Sequence, residues 1–207
     1  MGENRAREFF GIGSSDLFFY EPSTGFGEFD RSDGKGNLAL MSNFSNFRTT
    51  WFTIVAGNFS GSSFDDLLFY DQTNGVAEFH KVDGKGGLTL LKSYSLLRKT
   101  WSIILPGKFS DSAFDDLLFY DPINGVGEFY SLDSNQGLRL LRSYSNFRTN
   151  WSIILRGKFS DSRYDGLLFY DRTNGVGEFY SNDGQGGIAL IRSHADWRKT
   201  WSIVESL

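Results

Sequence analysis

"GKFSDSAFDDLLFYDPINGVGEFY" occupies Gly107–Tyr130, and nearly the same words return fifty residues later as "GKFSDSRYDGLLFYDRTNGVGEFY", from Gly157 to Tyr180. Fifty residues earlier the chain reads "GNFSGSSFDDLLFYDQTNGVAEFH", from Gly57 to His80. The period runs without a gap. Trp51, Trp101, Trp151 and Trp201 fall in register, as do Phe9, Phe59, Phe109 and Phe159, and then Tyr20, Tyr70, Tyr120 and Tyr170. Residues 101–150 and 151–200 are identical at 31 of 50 positions, so the repeat governs any reading of the fold.

Each unit reads as four short strands. "DDLLFYD" (Asp115–Asp121) is a continuous apolar run, the mark of a strand buried on both faces. "PING" follows, an Asn-Gly turn suited to a tight hairpin, with Asn74, Asn124 and Asn174 as turn residues. "VGEFYSLD" is a second strand, a Gly-rich turn follows, "LRLLRSYS" is a third, and "WSIILPGKF" is a fourth that leads towards the next unit. No segment carries a sustained helical period. The expectation is an all-β chain, a β-propeller of four four-stranded antiparallel blades built from 50-residue repeats. The blades fall at approximately 9–57, 58–107, 108–157 and 158–207 of a single domain, 1–207. In this frame the "LLFYD" strand is innermost and the Trp strand outermost, and the last blade ends at Val204. No strand is left over to close a ring by pairing the termini. A homodimer, two chains making one eight-bladed ring, remains open.

Composition narrows the function classes. Of 207 residues, 40% are hydrophobic and 17% aromatic, as a globular core requires. The net charge of −4 supplies no broad basic face, which argues against nucleic acid as partner. There is no cysteine, so no disulfide framework and no thiolate metal site. The start "MGENRAREFF" is polar and no run is long enough to insert in a membrane, which reads as a leaderless protein, cytoplasmic or released without a signal peptide.

"GKFSDSAFDDLLFYD" resembles the FG-GAP or VCBS-type propeller repeat in its Gly, its Phe and its terminal Asp-Asp-Leu. The aromatic run followed by a Gly turn and a second aromatic strand is also similar to the tachylectin-type propeller lectins. The resemblance covers nearly the whole chain. It implies a propeller and a recognition function, and in many such repeats the Asp-rich stretch binds calcium. Here the lead ligand position holds Lys108 and Lys158, with Asn58 and Glu8 in the other copies. A lysine brings a cation where calcium needs oxygen ligands. The retained Asp16, Asp66 and Asp116 therefore read as turn caps, and no metal or cofactor is expected.

Four residue types recur at fixed positions and each has two readings. Trp51, Trp101, Trp151 and Trp201 offer faces for a sugar ring or pack between blades. Arg48, Arg98, Arg148 and Arg198 lie three residues before them, as donor forks beside an aromatic platform or as cation–π partners. Glu28, Glu78, Glu128 and Glu178 lie mid-strand and either accept sugar hydroxyls or pair with the Arg of their own blade. Asp33, Asp83, Asp133 and Asp183 lie in Gly-rich turns, as ligand contacts or as caps of those turns. His80 and His194 are the only histidines and occupy different repeat positions, and no nucleophile–base motif is present.

Repetition of equivalent surfaces favours binding over catalysis. The leading expectation is a multivalent carbohydrate-binding protein, a lectin with shallow repeated sites and glycans as partners, where avidity multiplies weak contacts by about 10²–10⁴. The alternative is a protein–protein interaction or assembly propeller, in which differences between blades matter more than shared residues. A single-site enzyme on the axis is the third reading.

Overall fold

The computed structural model describes residues 9–10 and 15–204. Among these residues there are fifteen strands in four antiparallel sheets, and no helix. The first sheet joins β1 (Leu17–Glu21), β2 (Phe26–Ser32) and β3 (Leu38–Phe44). The second joins β4 (Thr53–Gly57), β5 (Asp66–Asp71), β6 (Val76–Val82) and β7 (Leu88–Tyr94). The third joins β8 (Ile103–Gly107), β9 (Asp116–Asp121), β10 (Val126–Leu132) and β11 (Leu138–Tyr144). The fourth joins β12 (Ile153–Gly157), β13 (Gly166–Asp171), β14 (Val176–Asn182) and β15 (Ile188–His194). The all-β class and the antiparallel sheets match the sequence expectation. All six residues of β5, β9 and β13 are buried, as the unbroken apolar run requires of a strand covered on both faces.

The frame of the sheets differs from the sequence frame. The Trp-led strand pairs with the "LLFYD" strand of the following repeat: Ile104 lies opposite Phe119, and Ile154 opposite Phe169. The cause is the loop between them. Asp116, fully buried, turns its carboxylate back to accept from Phe109 N at 2.8 Å and Ser110 Oγ at 3.0 Å. Asp66 does the same for Phe59 N and Ser60 N, and Asp16 for Phe9 N and Phe10 N. The chain therefore reverses at "GKFSDSAFD", and the crossing between sheets falls instead at the segment before each Trp. The turn-cap reading of these three aspartates holds.

The Trp-led strand is also not the outer edge. β8 and β12 pack on one another, whereas the third strands β7, β11 and β15 expose Leu90, Leu140 and Leu190. The "LLFYD" strand lies second from the β8/β12 edge. The fourth Trp-led segment, residues 201–204, forms no strand, so the first sheet has three strands among the described residues.

Contacts divide the chain into two compact units. One runs to Lys99 and takes in Ser134–Gln136; the other holds Thr100–Asp133 and the chain from Gly137 onward. The core of the first is built on Phe29, Trp51, Leu67, Phe69 and Val82, and that of the second on Phe109, Leu118, Tyr120, Phe129, Trp151 and Phe169. Both cores are aromatic-rich, with edge-on pairs such as Phe109–Phe129 at 5.3 Å and stacked pairs such as Phe47–Phe69 at 5.3 Å.

Aspartates also finish the "LLFYD" strands. Asp121 accepts from Thr100 Oγ1 at 2.5 Å and from Asn124 Nδ2 at 2.8 Å, and Asp71 repeats this with Thr50 and Asn74. The Asn of the Asn-Gly turn thus ties the turn to the strand end. Burial pushes the Asp121 carboxyl up, but the bonds from Thr100 and Asn124 outweigh it and hold the group below its ordinary value. A folded value below the unfolded one adds stability above about pH 4 that is lost as pH falls through the folded value. Urea unfolding measured between about pH 6 and pH 2 should show Asp121→Asn losing less stability on acidification than the parent chain. Equal losses would contradict this role.

Candidate functional site

The segment that carries Arg148 and Trp151 between sheets is held by two bonds at adjacent residues. Phe147 N donates to Gly125 O at 2.9 Å, and Tyr120 OH donates to Arg148 O at 2.6 Å. Gly125 sits at φ +63°, and a Cβ there would lie 2.5 Å from Phe147 O, so only glycine lets the segment close on this turn. Phe47 with Gly25 and Tyr20 with Arg48, as well as Leu97 with Gly75 and Tyr70 with Arg98, repeat the two anchors. Burial pushes the Tyr120 hydroxyl up to about 12, so it remains a donor at neutral pH.

Once anchored, the segment delivers its Arg to the next sheet. Arg148 Nη2 meets Glu178 Oε1 at 2.5 Å, and the Arg148 guanidinium lies over the Trp151 ring at 4.9 Å. Tyr180 OH donates to Glu178 Oε2 at 2.6 Å. Burial, and then the Glu178 carboxylate beside it, push the Tyr180 hydroxyl well above its ordinary value, so it too stays protonated. Trp151 rests on Phe169 with ring centroids 5.4 Å apart. Together with Asn146, Phe147, Ile188 and Leu190 these residues line a cavity of about 280 Å³.

The other unit holds a second copy. Arg48 Nη2 reaches Glu78 Oε1 at 3.6 Å, the Arg48 guanidinium lies 5.4 Å over Trp51, and Trp51 rests on Phe69 at 5.4 Å. His80 stands where Tyr180 does and contacts Glu78 Oε2 at 3.0 Å. In the third repeat Trp101 likewise rests on Phe119, and Tyr130 OH donates to Glu128 at 2.6 Å.

The residue types singled out from the sequence take the following places. The Glu partner of Arg48 and of Arg148 belongs to the following repeat rather than to its own blade, because the Arg segment is the crossing between sheets. Trp51, Trp101 and Trp151 are buried, covered by a Phe on one face, with an Arg over Trp51 and Trp151, so their rings are not open platforms. The loop aspartates cap their own turns: Asp83 Oδ1 accepts from Lys85 N and Gly87 N, both at 2.8 Å, and Asp33 and Asp183 do the same. Asp133 accepts from Gly137 N at 2.8 Å. Neither Asp133 nor Asp183 lines this cavity, and Asp133 lines a separate hollow with Ser110, Asp111 and Arg139. Glu28 is half-buried in β2 opposite Phe19 and Asn43, and Arg98 and Arg198 each accept a Tyr hydroxyl on their main-chain oxygen.

Sequence reasoning passed over Tyr180 and Asn146. Tyr130 and Tyr180 stand two residues after a Glu on a strand, and that spacing alone places both side chains on one face. It also passed over Asp165, buried against Arg156 at 3.2 Å and Lys158 at 3.1 Å and accepting from Lys108 N at 2.8 Å. Among the described residues no group of three or more His, Asp or Glu is placed to hold a metal ion.

No family model matches the sequence, and no curated protein matches it. Solved structures do. A candidate 6-phosphogluconolactonase from Bacteroides fragilis matches with a TM-score of 0.62 at 11% identity, over 89% of this chain and 52% of its own. A protein from Lactobacillus plantarum matches with a TM-score of 0.58 at 11% identity, over 90% and 54%. Sqt1 from Saccharomyces cerevisiae matches with a TM-score of 0.52 at 11% identity, over 87% and 48%. The chain spans about half the length of these structures. At such identity the likeness is one of fold, and the fold is that of β-propeller blades.

The niche makes a measurable distinction between its own ion pair and an exposed one. Arg163 and Asp111 also pair, at 2.7 Å, but both side chains are in solvent. A double-mutant cycle on Arg163 and Asp111 should give a coupling within about 0–1 kcal/mol. A cycle on Arg148 and Glu178 should give about 2–4 kcal/mol, because removing Arg148 strands a buried carboxylate. Equal couplings would contradict the burial argument.

Proposed function

We propose that the chain is a multivalent carbohydrate-binding protein, a lectin of the propeller type that its repeat resembles, and that its sites are the niches between consecutive sheets. One observation carries the reading. A cavity of about 280 Å³ combines an apolar wall from Phe147, Ile188 and Leu190 with the Arg148 fork, the Glu178 carboxylate and the Asn146 amide. A monosaccharide has one apolar face and a rim of hydroxyls, and it needs both kinds of wall. The Arg–Glu–Trp arrangement recurs at Arg48, Glu78 and Trp51, as a multivalent design requires. Sugar contact in this reading falls on the polar rim and the aliphatic wall, not on the buried indoles. No turnover is assigned.

A protein-interaction reading draws on a different observation. Leu90, Leu140 and Leu190 stand exposed at one register on β7, β11 and β15. A partner docking there would bind along these edge strands and would overlap the niche at Leu190.

Glycan-array screening followed by calorimetry tests the proposal. We expect binding with more than one equivalent site per chain and individual dissociation constants on the order of 0.1–10 mM. Asn146 is exposed, so Asn146→Ala should weaken one class of site at least about tenfold and leave the unfolding midpoint unchanged. Silence across a broad array from folded protein, or a single site per chain, would overturn it.

A further inference from the structure

The two niches are built alike except at one residue. Arg48 and Arg148 each reach a Glu of the sheet they open, at 3.6 Å to Glu78 and 2.5 Å to Glu178. Their guanidinium groups lie over Trp51 at 5.4 Å and over Trp151 at 4.9 Å. The second oxygen of each Glu meets the residue two further along its strand. At Glu178 that residue is Tyr180, 2.6 Å away, and at Glu78 it is His80, 3.0 Å away. Tyr130 bonds Glu128 as Tyr180 does Glu178, at 2.6 Å, so His80 is the departure from the pattern. Each niche lies within one compact unit, with Arg48, Trp51, Glu78 and His80 all before Lys99.

The exchange alters the charge a niche can carry. Burial, and then the Glu178 carboxylate, hold the Tyr180 hydroxyl above its ordinary value, so it stays neutral. Arg148, Glu178 and Tyr180 therefore sum to zero charge from about pH 5 to about pH 8, the range in which a histidine can gain a proton. At His80 the charged groups in contact are Glu78 and, through it, Arg48. Leu67 of β5 and Leu90 of β7 lie opposite His80, and its ring stands edge-on to Phe69 at 5.2 Å. Lys81 falls on the other face of β6, and Lys92 lies opposite Phe79 on that same face. Asp71, at the end of β5, is engaged by Thr50 and Asn74. The first sheet adds Phe18, Tyr20, Met41 and Phe44 to this core, and the Tyr20 hydroxyl is committed to Arg48 O at 2.5 Å.

A proton on His80 turns its contact with Glu78 into a charge-assisted pair and brings the trio to a net charge of +1. Two cations then share one carboxylate. Arg48 is the looser of them, at 3.6 Å, with its side chain 49% exposed. Its fork can turn to an anion in bidentate geometry. We infer that the niche of Arg48, Glu78 and His80 selects acidic saccharides, sugars that bear a carboxylate, at mildly acidic pH, and that His80 sets this preference. The niche of Arg148, Glu178 and Tyr180 keeps one preference throughout. The inference rests on the sugar-binding reading and gives its two sites different ligands on acidification.

An array that pairs each neutral hexoside with its uronoside, read at about pH 5.5 and about pH 8, tests this, with calorimetry on the pair that binds. Uronoside affinity at one site per chain should rise at least about fivefold on acidification, while the neutral partner changes less than about twofold. His80→Tyr, which installs the residue found at positions 130 and 180, should flatten that rise. Tyr180→His should add a second pH-dependent site per chain. Neutral hexoside binding without a uronoside rise would overturn this inference alone. So would a rise that survives His80→Tyr. Silence of folded protein toward every glycan at both pH values would overturn the sugar-binding reading and this inference with it.

Discussion

The structure depends on a strand passed from one repeat to the next. The segments led by Trp51, Trp101 and Trp151 each leave the third strand of their own repeat, are pinned by a Tyr hydroxyl and a Gly carbonyl, and then open the following sheet. The Trp ring lands on the Phe of the strand it joins. Each four-stranded sheet is one contiguous stretch that starts at its Trp-led strand, such as Ile103–Tyr144. The crossing segment before Trp151 is bonded to the sheet it leaves, and its Arg to the sheet it opens, which holds the third and fourth sheets together. The arrangement also explains the aromatic excess: short strands bury little each, and Phe, Tyr and Trp supply 150–250 Å² apiece to the layer between sheets, on the order reported for such side chains.

The candidate niche follows from the same passage. The segment that crosses between sheets carries Arg148 with it and sets the guanidinium against a Glu of the sheet it is about to join. The pair sits at the rim of an apolar hollow, and Glu178 is buried with Arg148 and Tyr180 as partners. A buried carboxylate with two donors is costly to disturb and rigid in place, which is what a preorganised polar contact requires. The proposed sugar contact and the architecture therefore share residues, and the proposal expects substitution at Arg148 or Glu178 to act on both. Asn146 lies outside the ion pair and separates them.

Much of the fold was legible because periodicity is unambiguous at this spacing. The repeat, the all-β class, the buried "LLFYD" strand and the Gly turns all follow from letters in register. The pairing of the Trp strand did not follow, since hydrophobic pattern identifies a strand without naming its neighbour. The deciding residue was Asp116, whose buried carboxylate folds the "GKFSDS" stretch into a reversal. The same repetition hid the site. A residue that recurs four times looks alike whether it binds or supports, and burial is what places Trp151 in the core. The aspartates of the Gly-rich turns looked like ligand contacts because they are exposed, yet their oxygens are taken up by their own turns.

The passage of the strand is most directly tested by cross-strand nuclear Overhauser contacts in labelled protein. The account predicts contacts from Ile154 and Leu155 to Phe169 and Leu168 of the following repeat. Contacts from residues 153–157 to Leu138–Tyr144, the third strand of their own repeat, would contradict it.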